Sequence, residues 1–518
     1  MCTRMSLVAR LLTLYLAGCA VLLVITLWMT GGHFSYSLDD PYIHLALAQQ
    51  IIRGHYGINA GEIAAPSSSL VWPFVLAPFS RTAVAAWVPF LLNLLSGMAA
   101  CLVIGHFAER WWLARNPGIP GWVRWLAAFF LLLIGNLIGL TFVGMEHTVQ
   151  IVLVSGCAYG MMAAYDGERM PGWILACAVA APWVRYEDLA FTLPVVLVCW
   201  WQGRRAAALW TGAASVLPLA LFSIFLRVHG LNWVPNSVLV KAGIEGMRPR
   251  HPLLHQGRSA LVHYFLTPSG LPIALFAMLL VVLARRERED WLRRRVLLGG
   301  ALGIALMMAF GPFGWFYRYE ICVRVFATLL VLGVLATQRM PAQRWIVTGL
   351  AVVGLPYVMP LIVTPYSCAQ IYRQQYQMHR FVQDYYHGNV AVNDLGWVSF
   401  GHGNRTYVLD LIGLASQESA TTKNKDVAWL ADITKRHNVG LVMVYRDQSW
   451  FPRVPQDWAE LGGLHQQFGR FIGPIGGYAV TFYATPEADL PELRQSFHAF
   501  AATLPARTWM TFPGTAAQ

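Results

Sequence analysis

The chain has 518 residues, 56% of them hydrophobic and only 12% charged, with 21 tryptophans and a formal charge of +12. A soluble globular protein carries about twice that charged fraction, so the composition excludes that class and indicates a polytopic membrane protein. Nor does the positive charge indicate nucleic acid: the arginines gather in short loops between apolar runs, the positive-inside pattern, rather than along a phosphate-tracking groove.

Six of the eight cysteines (Cys19, Cys101, Cys157, Cys177, Cys199, Cys322) fall inside apolar runs. Only Cys368 lies near the last polar region, which rules out a disulfide framework there. At the N-terminus, Arg4 and Arg10 precede an apolar run from Leu11 to Trp28. That run is too long for a cleaved signal and reads as a retained anchor. About 20 apolar residues are needed per span, and by this rule the candidates are 8–30, 84–105, 125–143, 147–165, 172–184, 189–201, 206–227, 260–284, 296–316, 321–338 and 344–363, roughly eleven in all. The pair 172–184 and 189–201 is short. The patch 70–79 reads as the entry to the second span or a re-entrant piece.

Arg110, Arg115, Arg124, Arg204, Arg205, the run from Arg285 to Arg295, Arg339 and Arg344 all fall in inter-span loops. Placing them in the cytoplasm puts 31–83, 144–146, 185–188, 228–259, 317–320 and everything after 364 on the outer face. The expected domains are therefore 1–364, membrane-embedded, and 365–518, an extracytoplasmic α/β domain. In the latter, 389–393, 406–411, 440–445 and 478–483 read as strands, and 426–437 and 489–504 as helices with acidic first turns.

The chemistry concentrates in the outer segments. Asp39 and Asp40 stand between the first span and a short amphipathic helix in which Ile43, Leu47 and Ile51 share a face and Gly54 is the stop. Asp40 before Pro41 fits a helix N-cap. Asp39, at the mouth of the helix, is placed to accept a proton from an attacking hydroxyl, or is simply a solvated loop residue. Four further turns carry charge at bilayer depth: Gly144-Met145-Glu146-His147, Arg185-Tyr186-Glu187-Asp188, Pro235-Asn236-Ser237 with Lys241, and Tyr317-Arg318-Tyr319-Glu320. Each has an ordinary explanation, Arg318 as a snorkelling arginine in a tyrosine belt and Arg185 with Glu187 as a local ion pair. Together on one face they outline an outward polar cavity in which a carboxylate activates a hydroxyl and cations stabilise a departing phosphate. Asp394 and Asp410, each beside a glycine, read as strand-ending turns.

The order of these pieces resembles the GT-C superfamily of integral-membrane glycosyltransferases, and in particular its arabinofuranosyltransferase-like branch. The likeness rests on Leu38-Asp39-Asp40-Pro41-Tyr42-Ile43 with Gly54-His55-Tyr56-Gly57, Ser67-Ser68-Ser69 before Leu70-Val71-Trp72, Gly144-Met145-Glu146, Arg185-Tyr186-Glu187, Pro235-Asn236-Ser237 with Lys241, Asn393-Asp394-Leu395-Gly396 and Leu409-Asp410-Leu411-Ile412-Gly413-Leu414. It spans nearly the whole chain, and its order is more specific than any single motif. The resemblance implies a multi-pass bacterial cytoplasmic-membrane enzyme with its C-terminal domain in the periplasm. This enzyme would move a sugar, with inversion, from a polyprenyl-phosphate donor to a glycan, lipid or protein acceptor. Asp39 would be the base, with Asp40 beside it, and Ser68, Glu146, Arg185, Glu187, Asn236, Lys241 and Arg318 would bind donor and phosphate. The branch often has Arg-Pro-Glu where this chain has Arg185-Tyr186-Glu187. No metal site is implied by spacing. A divalent cation held by the carboxylates with His44, His55, Glu62 or His147 nearby is the one cofactor left open. A transporter or flippase of lipid-linked sugars is the rival class; the expected absence of Gly/Pro-broken helices and related halves argues against it.

Overall fold

The computed structural model describes residues 5–239, 252–316, 318–337, 343–446 and 451–514. It is mostly helical, with a small sheet near the C-terminus. Among the described residues, six helices are long and apolar enough to cross a membrane: Leu7–Met29, Ala85–Leu113, Gly121–Val143, His147–Tyr165, Arg205–Val228 and Trp345–Asp384. These match six of the eleven expected segments.

The other five differ for identifiable reasons. Gly172–Val184 and Leu189–Trp201 have 13 residues each, about 20 Å of helix against a hydrocarbon core of about 30 Å. The segment expected at 260–284 breaks at Pro268–Gly270 into Arg258–Leu266 and Leu271–Arg286, which meet at 87°, the geometry of a broken span or a re-entrant loop. The segment expected at 296–316 belongs to Trp291–Phe310, which opens with Arg293, Arg294 and Arg295. Ile321–Thr337 carries the buried Arg324.

Capping starts the helices where the residues dictate. The Ser6 hydroxyl accepts from Ala9 N at 3.1 Å, and Asp290 accepts from Leu292 N and Arg293 N, each satisfying donors that a helix leaves unpaired. Small residues let the helices close up. A Cβ on Gly160 would sit 2.4 Å from Ile174, and one on Gly333 2.9 Å from Met162.

The loops gather at two ends. At one, Arg110 pairs with Glu168, Trp111 donates to Asp166, Arg293 lies over Tyr165, and Arg295 over Trp201. The arginine-rich loops thus meet on one side. At the other lie the turns around Asp40, Glu146, Arg185 and Arg318.

The C-terminal sheet has the order β2-β1-β3-β5-β4-β6, with β1 (Asn389–Val392), β2 (Val408–Asp410), β3 (Val439–Val444), β4 (Ala459–Gln466), β5 (Ala479–Ala484) and β6 (Thr508–Thr511). Strands β1, β2 and β3 are parallel, and the remaining pairings are antiparallel. The four expected strands and both helices are present, with Asp426 and Asp489 as N-caps. Strands β4 and β6 had no alternating pattern to announce them. The boundary expected at 364/365 falls inside the helix Val358–Arg373.

This domain does not hang free. Tyr36, Tyr42, Trp72 and Cys368 share one buried apolar cluster with Trp397, Val390, Phe482 and Phe497. The Asn59 side chain exchanges two hydrogen bonds of 2.9 Å with the backbone of Val408, closing the edge of β2 as a strand would.

Candidate functional site

The stretch from Phe34 to Trp72 is a packed layer between helices and sheet. Its helix runs Asp40–Ile51, with Asp39 at the N-cap position and Asp40 as its first residue. The N-cap position falls on Asp39, whose side chain makes no capping bond, and not on Asp40 as the sequence suggested; each aspartate meets a donor from elsewhere in the fold, Trp397 N for Asp39 and Arg318 for Asp40.

Asp40 Oδ2 accepts from Arg318 Nη2 at 2.6 Å. Arg318 is buried, and the Asp40 side chain keeps 23% of its exposure. The same guanidinium donates to Tyr319 Oη at 2.8 Å and lies 4.8 Å from the centre of that ring. Its backbone approach is strained: Trp315 and Phe316 adopt φ +43° and +62°, unusual for side chains of that size.

A second arginine faces the same ring, with the Arg185 guanidinium 5.4 Å from its centre. Arg185 Nη1 donates to Glu146 Oε1 at 2.9 Å and to Ser68 Oγ at 3.0 Å. Its Nε and Nη2 reach Glu187 Oε1 at 2.8 and 2.7 Å. Local structure sets each partner. Gly144, at φ +72°, ends the helix Leu137–Val143 and turns the chain so that Glu146 enters the interior. A Cβ there would sit 2.5 Å from Tyr36, so the turn requires glycine. Ser68 is carried in by a strap whose Leu70 and Val71 amides both bond Trp183 O. Burial pushes the Glu146 carboxyl up, but Arg185, His147, His44 and a backbone hydrogen bond together outweigh it and lower it to about 2.

Four expected residues (Ser68, Glu146, Arg185, Glu187) thus form one network, and Asp40 and Arg318 a second, with Tyr319 between the two guanidiniums. Asn236 is buried and accepts from Asn232 Nδ2 at 3.5 Å, with no bond to either network among the described residues. Lys241 lies outside the described residues. The four residues considered as metal neighbours have separate bonds: His44 with Ser67, His55 with Glu62 O, Glu62 with Tyr407, and His147 with Gln150. No group of three or more His, Cys, Asp or Glu side chains that could hold a metal is found among the described residues.

Asp39 is placed differently. Its Oδ1 accepts from Trp397 N at 2.8 Å. Its Oδ2 is buried without a hydrogen-bond donor and faces the Asp394 carboxyl, whose nearness raises its pKa further. Asp394 in turn accepts from Tyr445 Oη at 2.6 Å and Gln375 Nε2 at 2.8 Å. Burial, then the Asp394 charge, push Asp39 well above the ordinary carboxylate range. The strand-ending-turn expectation fits Asp410, which accepts from the amides of Ile412 and Ala415, but not Asp394, which reaches across to Asp39. Asp394 follows β1 and Tyr445 follows β3, at the carboxyl ends of two adjacent parallel strands whose connections run in opposite directions, where open α/β sheets hold their ligands. Its place at the end of a strand was the one available signal.

Beside Glu187 a crevice of about 450 Å³ runs between the helices Leu189–Trp201, Arg205–Val228 and Trp291–Phe310. Its walls include Leu193, Val196, Val216, Leu306 and Phe310, with Tyr186 and Glu187 also lining it. An apolar slot with charge at one end suits an amphiphile.

In comparison with known proteins, a family described as a domain of unknown function (DUF8728) matches residues 369–483. The match takes in Gln375, Asp394, Trp397 and Tyr445. No curated protein matches the chain.

Proposed function

We propose that the protein is a membrane glycosyltransferase that moves a sugar from a polyprenyl-phosphate donor to an acceptor hydroxyl, with inversion. The carrying observation is the pair of buried guanidiniums near the Tyr319 ring: Arg318 pairs with the partly exposed carboxylate of Asp40, and Arg185 pairs with Glu187, which lines an apolar crevice. A lipid-linked phosphate needs both: a slot for the chain and cations for the charge that grows as the phosphate departs.

In this reading Asp40 accepts the proton of the acceptor hydroxyl. The acceptor oxygen bonds to the anomeric carbon as the bond from that carbon to the phosphate oxygen breaks, and the electron pair leaves with the polyprenyl phosphate. Arg318 and Arg185 take up its charge. Asp40 is preferred over Asp39 because it keeps solvent access while Asp39 is sealed against Trp397 and Asp394. The arginine-rich end is assigned to the cytoplasm and the site to the outer face of a bacterial inner membrane, by the positive-inside rule. The five shorter or bent segments would complete a bundle of about eleven crossings.

Purified protein incubated with a panel of polyprenyl-phosphate sugars and a glycan acceptor tests this: one lipid should lose its sugar. A second reading, a flippase, draws on the 87° break between Arg258–Leu266 and Leu271–Arg286, since broken helices form transporter sites. In that case the lipid would change leaflet with its sugar attached.

A further inference from the structure

Sugar transfer as proposed leaves Asp39 and Asp394 unused, although these two carboxyls face each other where the helical part meets the C-terminal domain. We infer that Asp394 is a positioning residue: it shares a single proton with Asp39, and this shared proton clasps the DUF8728-like domain onto the loop that carries Asp40. The inference rests on the reading of Asp40 as base, and it deepens that reading by giving the outer domain a part in the site.

The geometry allows little else. Two carboxylates in hydrogen-bond contact inside a protein repel strongly unless one carries a proton. The donors fall unequally. Asp394 receives two, from Gln375 and Tyr445, whereas Asp39 Oδ2 receives none. The proton therefore sits on Asp39 Oδ2 and is donated to an ionised Asp394. The groups facing the pair are Asp40 and Tyr42 from the Asp39 side and Tyr445 from the outer domain, with Arg318 beyond Asp40. The contact also depends on Gly396, where a Cβ would lie 2.3 Å from the Asp39 carboxyl carbon and 2.1 Å from its carbonyl oxygen. Trp397, whose amide holds Asp39 Oδ1, stacks on Tyr42 of the following helix at 3.7 Å between ring centres. Moving the clasp therefore moves the helix that begins at Asp40.

The folded state takes up a proton here that the unfolded chain gives up above the ordinary carboxylate value. The clasp's contribution is complete at acid pH and is lost as pH rises through the raised folded-state value. The test is thermal unfolding of purified full-length protein in detergent, followed from about pH 5 to about pH 9. The wild type should lose at least about 2 °C over that range by this route. Asp39→Asn and Asp394→Asn each supply an amide N–H in place of the proton, so each should fold and show a flattened profile. Asp394→Glu should keep the pH dependence. Sugar transfer by Asp394→Asn should lose the alkaline fall shown by the wild type. Wild type and both amide variants falling in parallel would overturn the inference. The outcome for the base is read separately: a flattened melting profile in Asp39→Asn with transfer retained in Asp40→Asn keeps the clasp and overturns Asp40 as the base.

Discussion

Arg185 holds a hydroxyl and two carboxylates on one buried guanidinium, and among the described residues it is the ion-pair partner of Glu146. Removing one member of such a buried pair leaves the other uncompensated, so Arg185→Ala should cost about 3–5 kcal/mol of stability. Denaturant unfolding in detergent measures it. A loss below about 1 kcal/mol, the size of an exposed pair, would show that Glu146 is solvated. The polar residues of this network were visible in the sequence as charges at bilayer depth, where charge is costly enough to stand out. Which of them would meet was not visible, because Ser68, Glu146, Arg185 and Arg318 come from four separate loops.

Between elements, contact is set by small residues and by one edge. Gly160 lies against Ile174 so closely that Gly160→Ala forces the helix Gly172–Val184 outward; about 1–3 kcal/mol is expected for such overpacking, measured by the same unfolding assay. The edge of β2 is closed by Asn59, so Asn59→Ala should expose the Val408 amide and raise its hydrogen exchange, at a cost of about 1–3 kcal/mol in local stability. Unchanged exchange at Val408 would mean that the strap does not cover the edge in solution. Element types were legible wherever a period ran long: the six long apolar helices, strands β1, β2, β3 and β5, and the two acid-capped helices. Strands β4 and β6 were not, since Ala459–Gln466 contains Gly462 and Gly463 and relies on pairing with its neighbours rather than on its own pattern. The break at Pro268–Gly270 was written in plain residues, yet hydropathy alone ran through it.

For the whole molecule, the arrangement divides charge by end: arginine-rich loops on one, the Asp40 and Arg185 networks and the sheet on the other. Single cysteines introduced as Arg288→Cys and Asn404→Cys into a cysteine-free background should be labelled by an impermeant thiol reagent from opposite sides of the membrane, Asn404→Cys from outside. Labelling from the same side would contradict the orientation. The close seating of the C-terminal domain on residues 34–72 could not be read from local pattern, because Asp39 and Asp394, or Asn59 and Val408, are separated by most of the chain. Composition and periodicity report neighbours along a helix or strand, and such long-range pairs leave no periodic trace.

The central claim is that Asp40, beside Arg318 and Arg185, performs sugar transfer from a lipid phosphate. The most direct measurement compares wild type with Asp40→Asn for release of sugar from a panel of polyprenyl-phosphate sugars in the presence of acceptor. The account predicts that the wild type consumes one of these lipids and that Asp40→Asn, folded to the same melting temperature, is slower by about 10²–10⁴-fold, the usual contribution of a positioned base. Equal rates from the two proteins, or no lipid consumed by the wild type, would contradict it.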